Sequence, residues 1–183
     1  MFEITTPFSD DLVELLRAGD RVVLSGVIYT ARDAAHARMA EALRAGEELP
    51  FPLAGNVIYY VGPAPAKPGW AVGSAGPTTS GRMDSYTPEL LRLGLKGMIG
   101  KGARSEEVKA ALREYKAVYF AATGGAGALL AKRVVRARVI AYPDLGPEAV
   151  HEFVVDKLPL TVVNDMYGGD LYLDGRRRYA RQR

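Results

Sequence analysis

Gly76-Pro77-Thr78-Thr79-Ser80-Gly81-Arg82-Met83-Asp84 is the stretch on which the reading of this 183-residue chain turns. Proline fixes φ and has no N–H to donate, and glycines stand at both sides of it, so neither a helix interior nor a central strand fits here. The stretch is a shaped loop. Upstream of it Asn56 to Val61 is β-rich, and downstream Pro88 to Leu95 reads as a helix, so the loop joins a strand to a helix. Its two adjacent hydroxyls offer donors and acceptors, Arg82 offers a planar fork for a carboxylate, and the small residues let a ligand approach the backbone. Loops of this composition carry binding and chemistry more often than packing. A second reading stays open beside that one: a polar turn that caps a helix starting near Thr87.

Working outward, strands and helices alternate. Leu12, Val13, Leu15 and Leu16 have helical spacing between Pro7 and Ala18, with Ser9 as N-cap, and Gly19-Asp20 breaks the run. Arg21 to Tyr29 reads as a strand interrupted at Ser25-Gly26, and a helix then runs through Ala45 to stop at Gly46. Gly62 to Gly69 is a turn-rich connector. Ser105-Glu106-Glu107 marks the start of a helix through Glu114. Ala117 to Ala122 is a short buried strand running into Thr123-Gly124-Gly125-Ala126-Gly127, and a helix over Ala128 to Val134 follows. Val139 to Tyr142, His151 to Val155 and Leu160 to Val163 are further strands. The expected fold class is α/β: a mixed sheet with flanking helices around one core, residues 1–183 forming a single domain.

Composition narrows the function. Apolar residues make up 48% and charged residues 25%, ordinary values for a globular chain. The net charge of +3 comes largely from the basic tail over residues 174–183, which reads either as a solvated, disordered run or as a docking element for an acidic partner. Basic residues are not interleaved with aromatics into a base-stacking platform, so no nucleic-acid partner is expected. No signal peptide and no membrane span are visible, which makes cytoplasm the default location. Cysteine is absent, so no disulfide and no thiolate metal or cluster site can be built from this chain. With two histidines, His36 and His151, a histidine-rich metal site has no support either, and no metal site is expected.

Arg32, Arg82 and Lys101 each adjoin an apolar β-like run at a turn, and the ends of strands are where α/β proteins gather ligands. Three cations meeting there would suit a small dicarboxylate. Plainer readings stand next to this: an Arg32–Asp33 local ion pair, a solvent-facing turn lysine at Lys101, and a core-capping or exposed His36. The glycines of Gly97 to Gly102 lack the P-loop spacing, and Gly124-Gly125-Ala126-Gly127 is no dinucleotide fingerprint. That second segment reads as close packing or as backbone N–H groups offered to an anion. No Gly-x-Ser-x-Gly elbow is present.

Taken in order, Thr30-Ala31-Arg32-Asp33-Ala34-Ala35-His36, the Gly76 to Asp84 loop, Gly100-Lys101-Gly102 and Thr123-Gly124-Gly125-Ala126 resemble a known family. It is the β subunit, or C-terminal domain, of class I iron–sulfur fumarate hydratase and L-tartrate dehydratase. The resemblance spans Asp20 to Leu173, and Gly-Pro-Thr-Thr-x-x-Arg-Met-Asp is its specific core. Pro147-Glu148-Ala149-Val150, Val163-Asn164-Asp165 and Gly168-Gly169-Asp170-Leu171-Tyr172 resemble the family's C-terminal portion.

The resemblance implies a swivelling β/β/α domain that closes over an active site shared with a cysteine-bearing α subunit, which holds a [4Fe–4S] cluster. It further implies an α2β2 heterotetramer, inactivity of this chain alone, and reversible hydration of fumarate to malate, with tartrate dehydration to oxaloacetate as the alternative. A non-catalytic anion-binding module is a third reading. By position, Thr78 is the proton-transferring residue, and Arg32, Thr79, Arg82 and Lys101 bind substrate beside it. His36, Asp84, Gly124 and Gly125 support them. A chain that starts this close to the domain fits the two-subunit form of the family.

Overall fold

The computed structural model describes residues 2–180. The chain runs β1 (Phe2–Thr5), α1 (Asp10–Leu15), β2 (Arg21–Thr30), α2 (Asp33–Ala45), β3 (Val57–Tyr59), α3 (Thr87–Arg92), β4 (Gly97–Gly100), α4 (Glu106–Glu114), β5 (Val118–Ala121), α5 (Gly127–Ala131), β6 (Val134–Ala141), β7 (Val150–Asn164) and α6 (Leu171–Tyr179). Short 3-10 segments at Ser80–Met83 and Pro143–Glu148 complete it. The fold is mixed α/β around a sheet core, as the alternation predicts.

Strands β1 to β5 are parallel neighbours in chain order. The long β7 turns antiparallel and pairs with β5, with β6 and, over most of its length, with β2. Pairing therefore returns from β5 through β7 to β2, and the sheet closes a circuit. One apolar cluster, including Leu24, Tyr59, Ile99, Phe120 and Val162, fills one side of this sheet. A second, including Tyr29, Met39, Met98, Leu112 and Tyr119, packs helices against the other. Along β3, Val57 and Tyr59 belong to the first cluster and Ile58 to the second, the alternation that a strand buried on both faces requires.

The caps follow the sequence. Ser9 Oγ accepts from Leu12 N at 3.2 Å, Ser105 Oγ accepts from Val108 N at 3.3 Å, and α2 stops at Gly46 with φ of 72°. Other expectations need correction. The helix expected over Ala128–Val134 ends at Ala131, because the β-branched pair Val134-Val135 already belongs to β6. That strand extends to Ala141 rather than Tyr142 and lies at the sheet's edge, where its exposure pattern hides any alternation. The two strands expected at 151–155 and 160–163 are one continuous strand. Its pattern is broken by a bulge, where Lys157 at φ 50° donates its N–H to Ser25 Oγ, and by Pro159.

Three elements have no sequence signal strong enough to announce them: β1, the glycine-bounded β4, and α6. Asp170 caps α6, accepting from Tyr172 N and Leu173 N, so the basic tail is helical through Tyr179 and exposed. Residues 181–183 of that tail lie outside the described residues. No helix among the described residues is long and apolar enough to cross a membrane.

Candidate active site

The parallel strands β2, β3, β4 and β5 deliver their C-terminal ends to one rim. β3 is the shortest of them, and the threonine loop takes over where it stops. Tyr60 N donates to Ile99 O at 2.8 Å, the last rung of the β3–β4 ladder. Thr78 N then donates to Tyr60 O at 2.8 Å, Lys101 N to Thr78 O at 3.2 Å, and Ser80 N to Lys101 O at 2.9 Å. Thr79 and Lys101 form a parallel bridge. The loop thus returns to the sheet as a two-residue substitute strand that sets Thr78 and Thr79 beside Lys101. Gly100 makes the approach possible: a Cβ there would collide with Ser80 Oγ and lie 2.9 Å from the Tyr60 ring.

The side chains on this rim differ in what already holds them. Thr78 Oγ1 donates to Tyr60 O at 3.1 Å, which directs its lone pairs away from that carbonyl. Thr79, Arg82 and Lys101 are exposed, and neither cation has an acidic partner among the described residues. Arg82 sits in the 3-10 turn Ser80–Met83 directly after the bridge. The sequence places it next to a β-like run, whereas the structure places it one turn beyond the substitute strand.

Arg32 is arranged otherwise. It follows β2 as the N-cap residue of α2, and its Nη2 is engaged by Glu148 at 3.2 Å and more loosely by Asp33 at 3.8 Å. The expected local ion pair with Asp33 is therefore the weaker of two contacts. Its Nε is buried without a hydrogen-bond partner among the described residues. Gly62 leaves the room that this side chain occupies, since a Cβ there would lie 3.1 Å from Arg32 Nη1.

The supporting residues fall into two groups. His36 Nδ1 is 2.8 Å from Arg32 O, and its ring packs at 5.5 Å from that of Tyr60. It is buried, and burial pushes its pKa down to about 4, so it is neutral at pH 7. It lines a cleft of about 340 Å³ with Ala40, Tyr86 and Leu90, between α2 and α3. Asp84 does not reach Arg32; its two carboxylate oxygens accept from Arg104 Nε at 2.6 Å and from Ser105 N at 2.7 Å. Gly124 and Gly125 are exposed, Gly125 has φ of 80°, and a Cβ on Gly124 would lie 3.7 Å from Lys101 Cδ. Close packing belongs to Gly127 instead, whose Cβ would meet Ser74 Oγ and the Gly76 backbone.

Sequence reasoning missed Tyr60, Tyr119 and Arg104, and it placed Glu148 in a family-like segment without giving it a role at Arg32. Nothing local marks Arg104, which precedes a helix N-cap in a glycine-containing turn and reads as solvated. It is 4% exposed. Burial raises the pKa of Tyr119 and keeps its hydroxyl protonated. That hydroxyl donates to Gly102 O at 2.8 Å, which leaves its oxygen to accept from Ser80 Oγ at 2.9 Å.

As a set, the rim can do two things: two free cations and the threonine hydroxyls can grip a small anion, and one hydroxyl can exchange a proton with it. It cannot hold a metal cluster by itself. The chain has no cysteine, and no group of three or more His, Asp or Glu among the described residues is arranged to hold a metal ion.

A model of the family described as Fumarase C-terminus matches residues 2–175. A Methanocaldococcus jannaschii protein provisionally named L(+)-tartrate dehydratase subunit beta is 42% identical over 166 residues, 87% of this chain and 85% of that one. Fumarate hydratase 2 of Leishmania major is 41% identical over 156 residues, covering 84% of this chain but 28% of the relative. The L(+)-tartrate dehydratase subunit beta of Escherichia coli is 31% identical over 185 residues, 98% of this chain and 90% of its own length. The chain thus spans under a third of the Leishmania fumarate hydratase and most of the two β subunits.

Proposed function

Since the chain belongs to the Fumarase C-terminus family, we propose that it is the β subunit of a two-subunit iron–sulfur hydro-lyase that adds water reversibly to fumarate to give malate. The observation that carries this reading is the Thr79–Lys101 bridge, which sets two hydroxyls beside an ammonium that has no acidic partner among the described residues, with the Arg82 guanidinium one turn on. Arg82 and Lys101 bind the substrate carboxylates, the first as a bidentate fork and the second as a point charge. Arg32, steadied by Glu148, contributes its remaining N–H groups to the same anion, and Thr79 donates a hydrogen bond.

Thr78 moves the proton. Its hydroxyl, held by the hydrogen bond to the Tyr60 carbonyl, works as a hydroxyl/alkoxide pair: the alkoxide takes the proton from the substrate carbon in dehydration, and the resulting hydroxyl returns it in hydration. A threonine hydroxyl is a weak base. The positive field of Arg82 and Lys101 favours its charged form and brings the step within reach.

A [4Fe–4S] cluster does not fit the residues of this chain, so we assign it to a cysteine-bearing α subunit. The exposed rim supports the assignment of a partner, because Thr79, Arg82 and Lys101 meet solvent here, and the reaction needs water excluded from all but the reacting position. The chain acts as one domain that swivels as a body to close this rim over the partner, in an α2β2 assembly of the cytoplasm.

A second reading, dehydration of tartrate to oxaloacetate, is favoured by the near end-to-end match with two tartrate dehydratase β subunits. The test is anaerobic purification of the chain with its α subunit, followed by turnover on fumarate and on tartrate in parallel. Fumarate hydration upholds the first reading, and exclusive tartrate turnover replaces it with the second. A complex inert to both, or a chain that purifies without a partner, leaves the non-catalytic anion-binding module.

A further inference from the structure

Beneath the rim lies a buried cation that the proposed chemistry does not use. The Arg104 side chain is fully buried; it springs from the loop that carries Lys101, and its guanidinium reaches across to the loop that carries Arg82. On the threonine-loop side, Nε donates to Asp84 Oδ1 at 2.6 Å and Nη2 donates to Thr87 Oγ1 at 2.8 Å. Thr87 Oγ1 donates in turn to Met83 O at 2.8 Å, the last residue of the turn that holds Arg82. On the Lys101 side, the other Asp84 oxygen accepts from Ser105 N at 2.7 Å. Nη2 also reaches the Tyr60 hydroxyl at 3.4 Å, and the guanidinium carbon lies 5.3 Å from the Tyr60 ring and 4.9 Å from that of Tyr119. Tyr60 is the residue whose carbonyl takes the Thr78 amide and hydroxyl, and Tyr119 ties Ser80 to Gly102.

Such a pair is a poor way to gain stability. Removing two charges from water offsets most of their attraction, and well-packed apolar residues of the same volume serve a core as well. Here Arg104 Nη1 is left buried without a partner among the described residues, a further cost. What the arrangement gives in return is geometry. A planar fork held by fixed acceptors sets direction, which an apolar side chain cannot do.

We propose that Arg104, acting through Asp84, is a positioning residue: it locks the Thr78–Tyr86 loop to the Lys101–Ser105 loop, and so fixes Arg82 and Thr78 relative to Lys101. This rests on the hydro-lyase reading for its consequence in turnover but not for its consequence in loop order, and the two are measured separately. Hydrogen exchange of the full chain comes first. In Arg104→Lys, which keeps the charge and loses the fork, amides of Thr78–Tyr86 and Lys101–Ser105 exchange faster while those of β6 and β7 keep their wild-type rates. Unchanged exchange in both loops overturns the proposal, whether or not the complex turns over any substrate, and so does an increase spread over the whole chain.

Turnover of the complex with the α subunit comes second. Wild-type activity tests the hydro-lyase reading alone. Given that activity, Arg104→Lys lowers kcat/KM on the order of 10²-fold, the penalty of about 1 Å of misplacement at a reacting centre. Asp84→Asn has a comparable effect, and the double variant is no worse than the poorer single one, because the two residues act as one device. Local exchange that rises while kcat/KM stays within about threefold of wild type contradicts positioning, and so do losses that multiply in the double variant.

Discussion

Two cationic regions of this molecule invite comparison: the rim at the ends of the parallel strands, and the antiparallel β6–β7 edge. Both display arginine or lysine to solvent. At the edge, Arg138 is held in a two-point contact with Glu152 at 2.9 and 3.0 Å, and that pairing pulls the Glu152 pKa below the usual carboxylate range. At the rim, Arg82 and Lys101 stand without acidic partners among the described residues, although the carboxylate of Asp84 is two residues from Arg82. Asp84 faces inward and is spent on Arg104 and Ser105. The difference teaches how a protein keeps a cation available. Nearby acids are engaged elsewhere, and the charge stays open for the anion proposed above.

The largest effects are expected at the rim. Arg82→Ala and Lys101→Met, each assayed in the complex with the α subunit, are expected to lower kcat/KM by about 10²- to 10³-fold, the range for losing one preorganised charged donor. KM should rise together with the fall in kcat, and the effect should weaken at high ionic strength where screening already dulls the field. Wild-type kinetics in either variant would make the rim equivalent to the edge.

A smaller effect sharpens the comparison from below the rim. His36 titrates at about 4 in the folded state, with burial as the main cause, the Arg32 carbonyl opposing it and the charge of Arg104 adding to it. Its folded pKa lies below the ordinary 6.5, so the unfolded chain binds the proton first. The contribution of neutral His36 is therefore present above pH 6.5 and is lost as pH falls from 6.5 towards 4. The gap corresponds to at most about 3 kcal/mol. Urea unfolding of wild type and His36→Gln across that window should show the steeper acid loss in wild type; parallel curves would mean that the imidazole is not held neutral by burial.

The smallest effect belongs to the edge. Arg138→Ala should leave turnover at the wild-type value and barely move the thermal midpoint, since an ion pair this exposed is screened by solvent. A loss of activity there would give the edge a role in the site or in the assembly.

How far the sequence shows all this depends on the kind of information involved. Local chemistry was readable: the caps at Ser9 and Ser105, the stop at Gly46, and a loop at Gly76–Asp84 built from glycine, proline and hydroxyls. Long-range pairing was not. β7 looks like two strands because Lys157 and Pro159 interrupt its pattern, and only the partner strand β2 holds the two halves in one ladder. β4 ends in a glycine because Ser80, on the loop returning from 20 residues upstream, and Tyr60 press against Gly100, and it begins with one because Val57 and Phe8 crowd Gly97. Within the site, the polar identities of Thr78, Arg82 and Lys101 could be named in advance, whereas Glu148 at Arg32 and Arg104 at Asp84 are contacts across 116 and 20 residues that no local pattern announces.

The claim that the rim carries the chemistry is tested most directly by Thr78→Ala in the anaerobically prepared complex, with turnover and dicarboxylate binding measured on the same sample. The account predicts an intact complex that binds the dicarboxylate with nearly wild-type affinity through Arg82 and Lys101, and turns it over at least about 10²-fold more slowly. A Thr78→Ala complex that works at the wild-type rate would contradict it.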